Sequence, residues 1–213
     1  MAATLKHFLS RVVVRMSALD SYTLHTVLWK AFPGPGARPF LFRADRQLDA
    51  VDDGPRPILA LVQSIQEPRW SISEVLSAEM HPVERTLAEG DQLRFLLRAN
   101  PTVARKGRKE PKFKGVEGDA FLAARGRRVA IVRDDARLAW LARKADANGF
   151  AIETSAIVRA QTVFWSKGSR RARHDGVDFE GTLRVTDGAK LRDAIQGGVG
   201  SGKAFGFGLL STK

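Results

Sequence analysis

Tyr22 and His25 stand three residues apart in the tract SYTLHTVLWK, and Lys30 follows five residues after the histidine. On a helix, positions i and i+3 share a face, so a phenol and an imidazole would be presented together. Lys30 would sit near the same end of that helix but off the face. An imidazole suits proton transfer because its ordinary pKa of about 6.5 lies near working pH. A lysine or arginine can offset developing negative charge without a metal. A base, a donor beside a departing oxygen and a nearby cation are the parts needed to cut RNA through its own 2′-hydroxyl. The same spacing fits two helix-surface residues with no chemical role, and the pair alone does not decide. Tyr22 is the chain's single tyrosine.

A second motif lies near the C-terminus, in GGVGSGKAFGFGLL (197–210). Gly197 through Lys203 has the G-x-x-x-x-G-K spacing of a phosphate-binding loop. Ala204 stands where a Ser or Thr should bind magnesium, and only ten residues follow Lys203. No chain remains to build the helix and strands of a nucleoside triphosphatase, so that reading fails. A tight turn presenting amides and Lys203 to an RNA phosphate fits better. His174 adjoins Asp175 and lies near Asp178, with no second histidine to complete a metal set, and no D-x-D or E-x-x-E pair accompanies it. A two-metal nuclease is poorly supported, and no metal or other cofactor is expected.

Charge points the same way. The 213 residues carry 35 Lys and Arg against 23 Asp and Glu, for a formal charge of +12, with a pI near 10.7. The excess is clustered: residues 105–128 hold nine basic and three acidic side chains, and residues 159–174 hold five Lys or Arg and no acid. Clustered cations favour a polyanionic partner over general solubility. The candidate RNA contacts are Arg105, Lys106, Arg108 and Lys109 in the first cluster and Lys167, Arg170, Arg171 and Arg173 in the second, with Lys203 beside them. A solvated hairpin end would carry the second cluster equally well. Arginine adds bidentate phosphate and guanine contacts that solubility does not require. The chain has no cysteine, which excludes disulfides, thiolate zinc sites and Cys nucleophiles. No apolar run approaches the roughly 20 residues of a membrane span, and the start lacks a signal-peptide layout, so a cytoplasmic protein with no membrane association is expected.

These residues need elements to hold them. Residues 5–14 end in a β-branched run and read as a strand. Asp20 or Ser21 caps a helix over Tyr22–Phe32, with Leu24, Val27, Leu28 and Ala31 on its apolar face. Phe40–Ala44 and Ile58–Ser64 read as strands, Ser71–Ala78 as weakly helical, and Gln92–Ala99 as a strand. The order β-α-β-β-α-β is the ferredoxin-like pattern. The second half reads similarly. It has a short run at Val129–Val132 and a helix capped by Asp134 or Asp135 that buries Leu138, Leu141, Ala142 and Ala145. Strands follow at Ala151–Phe164 and Val177–Val185 around the basic tip SKGSRRARHDG. A helix over Ala189–Gln196 leads to a last strand at Phe207–Leu210. The expected class is α+β, with two tandem ferredoxin-like (RRM-like) domains, 1–99 and 100–213, each an antiparallel sheet backed by helices.

The tracts SYTLHTVLWKAFPG, RPFLFR, QLRFLLRANPT, ARLAWLARKA, FEGTLRV and GVGSGKAFGFGLLS, in this order and spacing, resemble the CasE family. These are the precursor-crRNA endoribonucleases of type I-E CRISPR systems. The resemblance covers essentially the whole chain. It implies two ferredoxin-like domains and metal-independent cleavage of a CRISPR repeat RNA hairpin on its 3′ side, leaving a 2′,3′-cyclic phosphate and a 5′-hydroxyl. It also implies retention of the mature crRNA hairpin as a subunit of Cascade, beside the other Cascade subunits. The family's Y-x-x-H motif falls on Tyr22 and His25, with a nearby basic residue at Lys30. Its glycine-rich loop falls on 197–208, with Lys203 retained, and its basic hairpin on roughly 160–180. The competing readings are a non-catalytic RNA-hairpin-binding protein on the same sheets and a magnesium-dependent nuclease.

Overall fold

The structure is a computed structural model that describes residues 2–16, 20–48, 57–105, 127–167 and 170–213. The first sheet holds β1 (Ala3–Val14), β2 (Phe40–Gln47), β3 (Ile58–Ser64) and β4 (Val75–Leu87), hydrogen-bonded in the order β2-β3-β1-β4. All its pairings are antiparallel. Helix α1 (Ser21–Trp29) connects β1 to β2. Period-two alternation places Ser10, Val12 and Val14 of β1 on one face and Ala3, Leu5 and His7 on the other. The first face packs on α1 through Leu24, Val27, Leu28 and Ala31, all buried with Phe32, Phe40 and Phe42.

The second sheet is built from β5 (Gln92–Ala99), β8 (Phe150–Lys167), β9 (Arg170–Val185) and β10 (Leu210–Thr212), in the order β10-β5-β9-β8. Helices α2 (Asp134–Ala147) and α3 (Gly188–Gly197) complete a β-α-β-β-α-β unit. A small ribbon, β6 (Thr102–Arg105) with β7 (Arg127–Ala130), is inserted between β5 and α2. Both sheets place their strands, counted in chain order, as fourth, first, third, second. The fold is therefore α+β with two tandem ferredoxin-like units.

Several local expectations change. Ser71–Ala78 is not helical: no helix forms there, and β4 begins at Val75 and pairs along β1. Residues 75–87 have a half-exposed strand pattern, and Pro82 is tolerated because this strand forms the sheet edge. With the edge position filled, Gln92–Ala99 joins the second sheet, between β10 and β9. The chain thus changes sheet between Leu87 and Gln92, ahead of the expected 99/100 division. The Val129–Val132 run contributes to the β6–β7 ribbon rather than to a main sheet. Helix α2 is preceded by Arg133, with no side-chain cap, and Asp134 and Asp135 lie inside its first turn. Its buried face is Trp140, Leu141 and Ala145, while Leu138 is exposed, because the indole covers the area that a leucine stripe was expected to cover. The basic tip is mostly ladder: β8 and β9 pair as far as Lys167 and Arg170. The final strand starts at Leu210, after the fully buried Phe207 and Leu209.

Several contacts fasten the units together: Gln63 and Gln196 donate across them to the Ile195 and Lys6 carbonyls, and two further features carry the seam. Leu5 and Leu87 from the first sheet sit in the second unit's core. Arg98 of β5 forms a buried fork on Asp178, with Nε donating to Oδ1 at 2.7 Å and a terminal nitrogen to Oδ2 at 2.9 Å. Its other terminal nitrogen donates to the Ala44 carbonyl of β2.

Candidate active site and nucleic-acid interface

Helix α1 starts where the sequence places a cap. Asp20 is extended, and its Oδ1 accepts from the amides of Tyr22 at 2.8 Å and Thr23 at 2.9 Å. One turn later His25 lies beside Tyr22, with ring centroids 6.4 Å apart. The apolar face of α1 anchors the helix, so both rings stand at its margin, half-buried. His25 sits among the rings of Trp29, Phe40 and Phe42, at 5.8, 5.7 and 6.2 Å. Its Nε2 is buried and has no hydrogen-bond partner. Burial first, and the Arg38 guanidinium second, push the imidazole's pKa below its usual 6.5. Both effects disfavour the imidazolium, so the site holds the imidazole in its neutral form.

The opposite wall comes from the second unit. Gly202 and Gly206 take the left-handed conformation, with φ of 82° and 85°, on either side of a single 3-10 turn, Lys203–Phe205. A side chain at either position would be strained. The turn carries Phe205 to 6.5 Å from the Tyr22 ring and 4.7 Å from the His174 ring of β9. His174 Nδ1 is 3.1 Å from Asn100 Nδ2. Burial pushes the His174 pKa down, partly offset by Asp175. The Lys203 ammonium donates to the Gly197 carbonyl at 2.5 Å. Its pKa is lowered by burial, then by the positive charges of Arg38 and Lys144. Beyond Lys203 lies a cavity of about 410 Å³ lined by Arg128, Lys144 and Lys203, with Trp140, Asn148 and Ser201. Among the described residues its lining includes no acid. Cations gathered in this way form the kind of field that attracts a phosphate backbone.

The structure therefore brings Tyr22, His25 and the Lys203 turn into one place. Lys30 is held elsewhere, at the C-cap of α1, where its ammonium bonds Glu74. Arg173 is exposed on β9. Arg105, Lys167, Arg170 and Arg171 lie on the backbones of β6, β8 and β9. Lys106, Arg108 and Lys109 lie outside the described residues. Among the described residues, no three His, Asp or Glu side chains gather as a metal site. No helix described is long and apolar enough to cross a membrane. Sequence reasoning missed Arg38 and His174. Arg38 lies in the loop segment PGPGARP, and His174 figures in the sequence only as part of an incomplete metal set; the fold sets His174 beside Phe205 of the glycine-rich turn.

Known proteins resemble this chain along nearly its whole length. The family described as CRISPR associated protein matches residues 6–213. The Cascade subunit CasE of Escherichia coli (strain K12) is 31% identical over 96% of this chain and 98% of its own. The CRISPR-associated endoribonuclease Cse3 of Thermus thermophilus is 31% identical over 92% of each chain. A solved structure of CRISPR endoribonuclease Cse3 bound to a 19-nucleotide RNA superposes with a TM-score of 0.77 at 27% identity, covering 99% of this chain and all of that one. Extent, order of elements and identity agree, and the chain belongs to the CRISPR-associated protein family, among the CasE and Cse3 proteins.

Proposed function

We propose that this protein is a metal-independent endoribonuclease that cuts the repeat hairpin of precursor crRNA and keeps the product hairpin as a subunit of Cascade in the cytoplasm. The observation that carries the reading is a neutral, half-buried His25 beside Tyr22, facing a cationic turn from the other unit. His25 takes the proton of the 2′-hydroxyl, and the 2′-oxygen attacks the adjacent phosphorus. The bond to the 5′-oxygen breaks, leaving a 2′,3′-cyclic phosphate and, once that oxygen is protonated, a 5′-hydroxyl. Tyr22 lies where it can position the phosphate or supply that proton. Lys203 offsets charge from the second unit, and Lys30 does so from the first once it leaves Glu74. The paired arginines of β9, with Lys167 and the 105–109 cluster, grip the duplex. The names CasE and Cse3 support the reaction class, and the RNA bound to Cse3 supports the substrate class. We place the boundary between the two domains at the change of sheet, between Leu87 and Gln92.

The test uses the host's repeat hairpin in excess EDTA. A single cut bearing a 2′,3′-cyclic phosphate is expected, and a 2′-deoxynucleotide at the cut site should block it while the hairpin still binds. Tight binding with no cut would leave a purely RNA-binding protein. Loss of the cut in EDTA would point to a metal-dependent nuclease.

A further inference from the structure

Arg38 lies at the end of the loop after α1, two residues before Phe40, whose ring packs 5.7 Å from the His25 imidazole. It is half-buried, and its Nε is shut away from solvent with no hydrogen-bond acceptor. No carboxylate forms an ion pair with it among the described residues. Its charge is felt both by His25 on the first unit and by Lys203 on the second. The loop that carries the guanidinium thus adjoins the His25 wall of the site through Phe40. His25 Nε2 and Arg38 Nε, on α1 and on the loop that follows it, are both buried and without partners. A buried donor on a charged group is costly to leave unsatisfied, so an acceptor is expected to arrive with the ligand. Lys30 is the contrasting case: it is more than half exposed and already neutralised by Glu74.

We propose that Arg38 is a catalytic residue of the RNA-cleaving site, binding the non-bridging oxygens of the scissile phosphate and stabilising the phosphorane. The planar fork of a guanidinium matches two phosphate oxygens, which a lysine ammonium cannot do. This assignment rests on the endoribonuclease reading above.

Single-turnover cleavage of the repeat hairpin tests it, with binding of a 2′-deoxy hairpin measured in parallel. Arg38→Ala should lower the rate about 10²- to 10³-fold, the size seen when one preorganised charge-stabilising group is removed. It should change hairpin affinity far less. Added guanidinium ion should restore part of the lost rate, and Arg38→Lys should fall between wild type and Arg38→Ala. Cleavage by Arg38→Ala at the wild-type rate would overturn the assignment. Equal losses of rate and affinity with no guanidinium rescue would also overturn it, making Arg38 a support for the loop. Those results leave the endoribonuclease reading standing so long as wild type cuts and His25→Ala does not. A wild-type protein that binds but never cuts overturns both.

Discussion

The two units share one strand order but differ in the connection that precedes the last strand. In the second unit this stretch is α3 and the glycine-rich turn, which carries Lys203 and brings Phe205 to the Tyr22 ring of α1. In the first unit it is residues 65–74, with no helix, and it ends on Glu74, which neutralises Lys30. One connection concentrates positive charge at the seam and the other removes it. A duplicated framework thus yields an asymmetric seam, and on the proposed function the first unit would supply the proton-transfer groups and the second the grip on the polyanion.

The strongest way to break this comparison is to separate chemistry from grip. His25→Ala should lower cleavage about 10²- to 10⁴-fold, the usual cost of losing an acid–base group, with hairpin affinity nearly intact. Arg173→Ala, on the exposed edge of β9, should do the reverse. It should weaken binding and flatten the dependence of log K on log salt by about 1, with little change in the rate once RNA is bound. Equal loss of binding and cutting in His25→Ala would assign His25 to recognition and erase the division of labour.

Next in size is the fastening between the units. Arg98→Ala would leave Asp178, 5% exposed, as a buried charge without its fork, and would cut the link to Ala44. A destabilisation of about 3–5 kcal/mol is expected, read as a fall in denaturation midpoint. The double change Arg98→Met with Asp178→Leu should recover much of it, because the stranded charge is then gone. Failure of the double variant to recover stability would show that the Ala44 contact, and hence the coupling between units, carries the cost.

The site was more legible in the sequence than its support. Tyr22 and His25 could be placed because their spacing, the Asp20 cap and the apolar stripe at Leu24, Val27 and Leu28 are local signals. The glycine-rich turn was visible for the same reason. Arg38 was not, since its role depends on Phe40 reaching His25 and on a turn 165 residues away in the chain reaching Arg38. The strand at Ile58–Ser64 and the apolar face of α1 followed from periodicity, whereas β9 extends back to Arg170 beyond the expected Val177, and at α2 one tryptophan outweighed two smaller residues. The error at 71–99 was topological. Two runs of strand-like sequence, Val75–Leu87 and Gln92–Ala99, compete for the same edge, and only long-range pairing decides which sheet takes each one.

A buried histidine sharpens the comparison at lower cost. His7 is 9% exposed in an inter-unit cavity of about 530 Å³ lined also by Arg43, Arg85 and Arg94. Burial, then Arg85, lower its pKa to about 4. The unfolded chain, with an ordinary histidine near 6.5, binds more protons than the folded one between those values. Stability should therefore fall as pH drops from about 6.5 toward 4, by at most about 3 kcal/mol from this group. His7→Asn should flatten that part of the stability curve. An unchanged curve would mean that acid sensitivity lies elsewhere than at the seam.

The smallest effect concerns the neutralised cation itself. Glu74→Gln removes the carboxylate that holds Lys30, and a largely exposed ion pair contributes only about 0.2–1 kcal/mol, so folding stability should barely move. RNA binding should respond more than stability does, because a lysine at the C-cap of the catalytic helix is then free to meet a phosphate. The log K against log salt slope should steepen by up to about 0.9, the value for one added phosphate contact on a duplex. A steeper slope with an unchanged cleavage rate would make Lys30 a binding cation, whereas a faster rate would place it at the phosphorane beside Arg38. An unchanged slope and rate would mean that the RNA does not pass this end of α1, and would leave Arg38 as the first unit's proposed cation at the phosphate.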